Sequence, residues 1–304
     1  MSLSTTSRTS GDPLGYAFAI GGAVLFSSKA IFIKLAYAEG ASTETLLALR
    51  MLVALPVYLV ILVALLTRNP SSRTLLKPAL LLPAMAVGLL GYYISSYLDF
   101  AALNFISAQY GRLVLFGALF FGVPFSWRIL PGMLLAYAGI VLIFGWSFLA
   151  EPDGLLIGTC LVLTAAITFA FYQLLAKGQM RQLGTALFTC IAMSTAAIVA
   201  ISQSLVLSGP GALFSLPSEV WLYGLCLGIF ATVLPSFMMN AAITRIGPRA
   251  NSSTAAFGPF LTIAFAVVVL NEPFTIFHVL GTALVIGGSV LFTRAERQIR
   301  ASGG

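Results

Sequence analysis

Runs of roughly 18 to 25 predominantly apolar residues recur along this chain, each long enough for a helix to cross a hydrocarbon core about 30 Å thick. They fall near 14–35, 45–66, 80–103, 107–126, 129–148, 154–176, 184–207, 219–243, 250–270 and 275–293. The runs are continuous rather than alternating, which argues against a membrane barrel of strands. Of the 304 residues only 8% are charged, and the mean hydropathy is +1.01. Soluble domains carry about 25% charged residues, so this composition points to an integral membrane protein with little soluble mass. The formal charge of +7 does not indicate nucleic acid, because the basic residues are scattered over short loops instead of forming a patch.

The loops set the expected orientation. One side holds Arg8, Arg68, Arg73, Lys77, Arg128, Lys177, Arg181, Arg245, Arg249, Arg294, Arg297 and Arg300. The other side's loops hold no Lys or Arg and carry Glu39, Glu44, Glu151, Asp153, Glu219 and Glu272. One missed span would scramble that split, so it supports ten helices with both termini cytoplasmic. "AYA" at 36–38 looks like a signal-peptide cleavage site. Lys29 and Lys34 interrupt the would-be hydrophobic region, which is also too long, so the first span is read as retained.

Residues 88–108 overlay 228–248 at a shift of 140: Gly88 meets Gly228, Ser96 meets Ser236, and Ala101-Ala102 meet Ala241-Ala242. Farther on, at a shift of 149, Pro124-Phe125 meets Pro273-Phe274, Gly132 meets Gly281 and Gly139 meets Gly288. The offset is five helices. Five is odd, so the copies face opposite ways. The expected fold is an all-α integral membrane protein, with ten transmembrane helices arranged as two inverted five-helix repeats around a central cavity. The expected boundaries are a tail at 1–13, repeats at 14–150 and 151–293, and a tail at 294–304. Inverted repeats of this kind imply a transporter whose ligand site lies between the copies near the midplane.

"AALNFISAQYGRL" and the long C-terminal stretch from "AAITRIGPRA" through "NEP" to "GGSVLF" resemble the EamA-type members of the drug/metabolite transporter superfamily. The likeness covers nearly the whole chain. Its Tyr-rich third span looks most like the YddG-type bacterial exporters of aromatic amino acids. The resemblance implies a multi-pass protein of the bacterial inner membrane that passes small metabolites. One departure is that the first half is nine residues shorter than the second between the matched junction and the matched Pro-Phe, in the fourth span.

Candidate ligand contacts come from polarity inside the spans. In "GYYISSYLDF", Gly91–Phe100, a regular helix puts Tyr92, Ser96 and Asp99 on one face, with Tyr93 and Tyr97 on an adjacent stripe. Tyr92 lies near mid-span, where lipid offers its phenol no partner, so that face should line a wet cavity. Thr232, Ser236 and Asn240 repeat the spacing in the eighth span. Thr164, Thr168 and Tyr172 repeat it in the sixth. Ser252 opens the ninth, and Ser27 and Ser28 sit past the centre of the first. Back-bonding to the helix's own carbonyls is the competing explanation for the Ser and Thr residues. Lys29, Arg50, Asp99 and Arg112 lie about 7 to 11 Å below the non-cytoplasmic boundary at 1.5 Å per residue. Lys34, nearer the edge, is expected to snorkel. Two readings of the charges stay open: a structural salt bridge of Asp99 with Arg112 or Lys29, and a spare cation that receives a substrate carboxylate.

The expected function is export of small metabolites, aromatic and other neutral amino acids foremost, by alternating access. With no acid at the midplane the expected mode is facilitated diffusion, and Asp99 is the fallback proton site. The alternative is a proton-coupled drug/metabolite, nucleotide-sugar or sugar-phosphate antiporter. An intramembrane enzyme or a receptor is the reading of a different class; no zinc-protease or serine-hydrolase motif occurs, and the absence of a Walker motif argues against ATP-driven pumping. Cys160, Cys190 and Cys226 read as small packing residues, and His278 stands alone, so no cofactor or metal is expected. The expected partners are a small-molecule substrate and the lipid bilayer, with no nucleic acid and no required oligomer.

Overall fold

The computed structural model describes residues 12–117, 127–150, 153–209, 211, 213, 215–239, 241–242, 245–246 and 258–302. No strand occurs among them. The first span is two near-continuous helices, α1 (Pro13–Ser27) and α2 (Lys29–Ala38), followed by α3 (Thr43–Arg68). The third span is α4 (Pro78–Gly88), a π-helical turn over Leu89–Ile94, and α5 (Ser95–Ala102). Then come α6 (Ala108–Gly117), α7 (Leu130–Ala150), α8 (Leu155–Leu183) and α9 (Thr185–Ser208). After α10 (Ser218–Gly228) a second π turn covers Ile229–Val233, and α11 (Gly258–Leu270) and α12 (Ile276–Ser302) complete the order. Six of these helical stretches are long and apolar enough to cross a membrane, and three more apolar helices are shorter. The shortened fourth span runs into residues 118–126, which lie outside the described residues.

Helix starts follow local chemistry. Asp12 accepts a hydrogen bond from the Leu14 amide at 3.0 Å, and Pro13 occupies the first turn, where its missing N–H costs nothing. Ser42 caps α3, accepting from the Thr45 amide at 3.3 Å. The start of α6 is capped from far along the chain. Glu272 accepts from the Ala108 amide at 2.8 Å and from the Gln109 amide at 3.3 Å. A carboxylate at a helix N-terminus satisfies orphan donors and meets the positive end of the dipole. This gives the "NEP" turn a structural job. Asn271, at φ 53°, turns the chain so that Glu272 reaches that cap.

Without a hydrophobic drive between helices in lipid, close approach depends on small residues. α7 packs along α12, with Gly132 against Gly288 and Gly139 against Gly281. One number rises as its partner falls, so the two helices run antiparallel. Gly88 seats on the Ala192 backbone of α9, while Gly224 and Gly228 seat on Leu49 and Val53 of α3. Each π turn begins just after one of these glycines, Gly88 or Gly228.

A methyl group on Gly139 would run into the Gly281 carbonyl and come within 2.9 Å of the Val285 amide nitrogen. Gly139→Ala should therefore lower stability by about 1–3 kcal/mol as the helices are pushed apart. Gly145, on the same helix, has nothing within 4 Å of that position, so Gly145→Ala should be neutral or stabilising by up to about 1 kcal/mol. Thermal unfolding of the two variants in detergent checks the contrast.

Candidate functional site

Two polar groups converge on the third span. The first is built on tyrosine hydroxyls. The Tyr172 hydroxyl donates to that of Tyr92 at 2.7 Å, with the rings edge to face at 5.0 Å. The Tyr172 ring occupies the space that a side chain on Gly91 would need, so the glycine of "GYY" is what admits it. Tyr58, on α3, donates to Ser236 at 3.3 Å, and Ser236 donates to the Thr232 carbonyl at 2.6 Å. Tyr92 packs against three separate hydrophobic clusters, among them the one holding Tyr58 and the one holding Tyr172. It is therefore a junction of the interior, packed against these clusters where a wet face was expected.

The π turns change the expected stripes. An extra residue per turn shifts the register, so Tyr92, inside the turn, does not continue the regular face of Ser96 and Asp99. In the second π turn the Thr232 hydroxyl donates to the Leu227 carbonyl five residues back, at 2.8 Å. That bond satisfies an acceptor at the place where the backbone pattern changes.

The second group is charged. Lys29 donates to Asp99 at 2.6 Å, and both are buried. Of the two salt bridges left open by the sequence, the Lys29 pairing is the one formed. Lys29 and Arg50 both lie over the Phe100 ring, at 5.1 and 5.0 Å from its centre. Arg112 lies over Phe26 at 5.2 Å and donates to the Phe26 carbonyl at 3.4 Å. Lys29, Asp99 and Arg112 line a void of about 10 Å³, room for about one water molecule. Tyr93, Tyr97 and Phe100 share one cluster beside them. Toward the other end of the molecule, Tyr172, Gln173, Ala176, Lys177, Arg181 and Thr185 line a groove of about 370 Å³.

Several candidates have structural employment. Ser27 is 1% exposed and donates to the Ala23 carbonyl at 2.7 Å and to the Gly258 carbonyl at 3.1 Å, tying α1 to α11. Ser28 back-bonds to Leu25 at 2.7 Å. Thr168 back-bonds to Thr164 and Ala165, both at 2.9 Å, and Thr164 to Cys160 at 2.7 Å. Back-bonding thus accounts for the sixth span's threonines, whereas Tyr172 faces inward. Asn240 and Ser252 lie outside the described residues.

Three residues of this interior were not among the expected contacts. Tyr58 is 3% exposed; the reasoning that singled out Tyr92, a mid-span phenol without a lipid partner, applies equally to it. Arg50 was recognised only as a deep charge. Ser95 donates to the Ala165 carbonyl of α8 at 2.9 Å, a contact no spacing rule could reveal. At the opposite end, Arg245 donates to Asp12 at 3.1 Å, and this bond holds the Asp12 carboxyl below its ordinary value.

Lys29 and Asp99 supply a direct test of what the charges do. Removing one member of a buried pair leaves the other uncompensated, at about 3–5 kcal/mol, whereas replacing both with apolar residues is often neutral. Because Asp99 also faces Arg50 and Arg112, Asp99→Leu should be strongly destabilising, and adding Lys29→Met should recover only part of the loss. Denaturation midpoints of the three proteins measure this coupling.

Residues 156–294 match the model of the EamA-like transporter family. An uncharacterized transporter of Bacillus subtilis (strain 168), YcbK, is 27% identical over 281 residues, covering 88% of each chain. A second from that strain, the uncharacterized transporter YetK, is 29% identical over 181 residues, covering 56% of this chain and 52% of its own. A crystal structure of a protein with 20% sequence identity aligns at a TM-score of 0.59 over 96% of this chain and 100% of that one, a likeness of fold. The domain match over residues 156–294 and a relative spanning most of the chain support a multi-pass membrane transporter whose second half resembles the EamA-like family.

Proposed function

We propose that the chain is a ten-helix secondary transporter made of two inverted repeats, 14–150 and 151–293, that exports aromatic and other neutral amino acids by alternating access. It works in a bacterial inner membrane with both termini in the cytoplasm, and it has no enzymatic step. The observation that carries this reading is the interior built by both halves. Tyr92 and Tyr58 come from the first half, and Tyr172 and Ser236 from the second, joined as two bonded pairs. Aromatic faces with nearby hydroxyls suit a flat apolar side chain.

The inverted arrangement draws support from paired contacts. A shift of 149 turns the Gly132–Gly288 contact into Gly281–Gly139 when the partners are exchanged. A shift of 140 carries the start of one π turn, Leu89, onto the start of the other, Ile229. Relations of this form follow if the halves are related by a twofold axis in the membrane plane. The state is read as closed at the Lys29–Asp99 end, where there is room for one water, and open toward the groove with Lys177 and Arg181. By the basic-loop rule that groove is cytoplasmic.

Counterflow in proteoliposomes tests the function. Labelled phenylalanine should exchange without a pH gradient, and sugar phosphates should not compete. Tyr92→Phe should reduce flux by about tenfold while the protein folds normally, since it keeps the packed ring and removes the hydroxyl bonded to Tyr172. Flux that depends wholly on a pH gradient would replace facilitated diffusion with proton coupling through Asp99. Absence of flux for every amino acid tried would remove the substrate assignment.

A further inference from the structure

Arg50 is a buried charge that the contacts described so far do not satisfy. It lies seven residues into α3, about 10 Å below the helix start at 1.5 Å per residue, and is 5% exposed. A guanidinium is always charged and carries five N–H donors in a planar fork. Here its Nε, fully enclosed, has no hydrogen-bond partner among the described residues. Its guanidinium lies over the Phe100 ring, which attracts the charge but accepts no conventional hydrogen bond. Asp99 is the carboxylate within electrostatic reach of Lys29, Arg50 and Arg112 alike. Its Oδ2 is bonded to Lys29. Among the described residues, three cations against one acid leave a surplus of two positive charges here. Charges inside a membrane are costly and characteristically functional. A buried donor without a partner calls for an acceptor that arrives from elsewhere.

We propose that Arg50 receives a carboxylate of the transported ligand, beside the aromatic wall formed by Phe100 and its neighbours Tyr93 and Tyr97. The carboxylate matches the guanidinium in plane and in charge and can take two parallel N–H···O bonds. Asp99 limits the charge the site accepts, because a phosphate dianion would bring a second full negative charge next to an existing carboxylate. With a 10 Å³ void at Lys29, Asp99 and Arg112, the ligand enters only when this end of the molecule loosens. This assignment deepens the transporter reading, and it rests on that reading only for the claim that the bound carboxylate moves on.

The test uses binding, so that it can fail separately from transport. The full chain in detergent is titrated with phenylacetate and with L-phenylalanine, each against its carboxamide, and with inorganic phosphate, while its melting temperature is followed. The expected result is a rise with the two acids and none with the amides. Arg50→Gln should weaken the response to the acids roughly tenfold or more. Arg50→Lys should keep part of it, and Lys77→Gln, on an exposed loop, should keep all of it. If Arg50→Gln does not fold, the acid-against-amide comparison on the unaltered protein still decides. An equal response to acid and amide, no response to either, or a larger response to phosphate overturns the proposal. Carboxylate-dependent stabilisation without flux would instead leave the site standing and remove the transporter reading.

Discussion

Hydrocarbon offers no hydrogen bond, and that constraint organises this molecule. A polar side chain inside the spans gains by settling its donors and acceptors within the chain, and most of those described do so. Two solutions occur. Thr164, Thr168 and Ser28 return their hydroxyls to carbonyls of their own helix, which satisfies them but joins nothing. Ser27, Ser95, Tyr172 and Lys29 reach another helix, and those reaches tie the first and third spans to the rest. A serine that crosses between helices replaces contacts that a purely apolar surface could not make directional.

Glycines decide where such reaches are possible. Gly91 leaves room for the Tyr172 ring, and the Tyr172 hydroxyl can then meet Tyr92. Gly88 and Gly228 let their helices approach α9 and α3, and immediately afterwards each backbone widens into a π turn. Such turns leave the regular hydrogen-bond ladder, and in one of them Thr232 fills the gap with its own hydroxyl. Close packing and irregular backbone thus sit next to each other in the interior, beside the tyrosines. The ends are fastened separately, by Glu272 on α6 at one side and by Arg245 on Asp12 at the other.

The charged and aromatic groups differ in what they contribute. The Lys29–Asp99 pair is complete, so it serves to hold the first span against the third. Arg50 is incomplete, since the ring beneath it stabilises its charge without occupying its Nε. That difference separates a structural cation from one with capacity to spare. It could not be inferred from depth alone, because both residues lie at similar depth and both are buried.

Much of the fold was legible in the apolar runs, because a span must be about 20 residues of continuous apolar helix whatever it packs against. The glycine pairs of α7 and α12 were legible as matched positions, though their meeting face to face was not. Tyr92 and Tyr58 are both phenols deep in a span, so depth alone marks each as needing a partner inside the protein. Ser27 and Thr168 were expected as ligand contacts, and their bonds to backbone carbonyls were not legible, because spacing tells which residues share a face, not which acceptor a hydroxyl chooses. Sequence by itself determined that this chain lives in a membrane and where its polarity is stored, since hydropathy and depth are local properties. Only the tertiary structure decided that Asp99 takes Lys29, that Tyr58 meets Ser236, and that Arg50 keeps an open donor. Those outcomes depend on distances between residues tens to hundreds of positions apart, and a π turn of one extra residue is enough to redirect them.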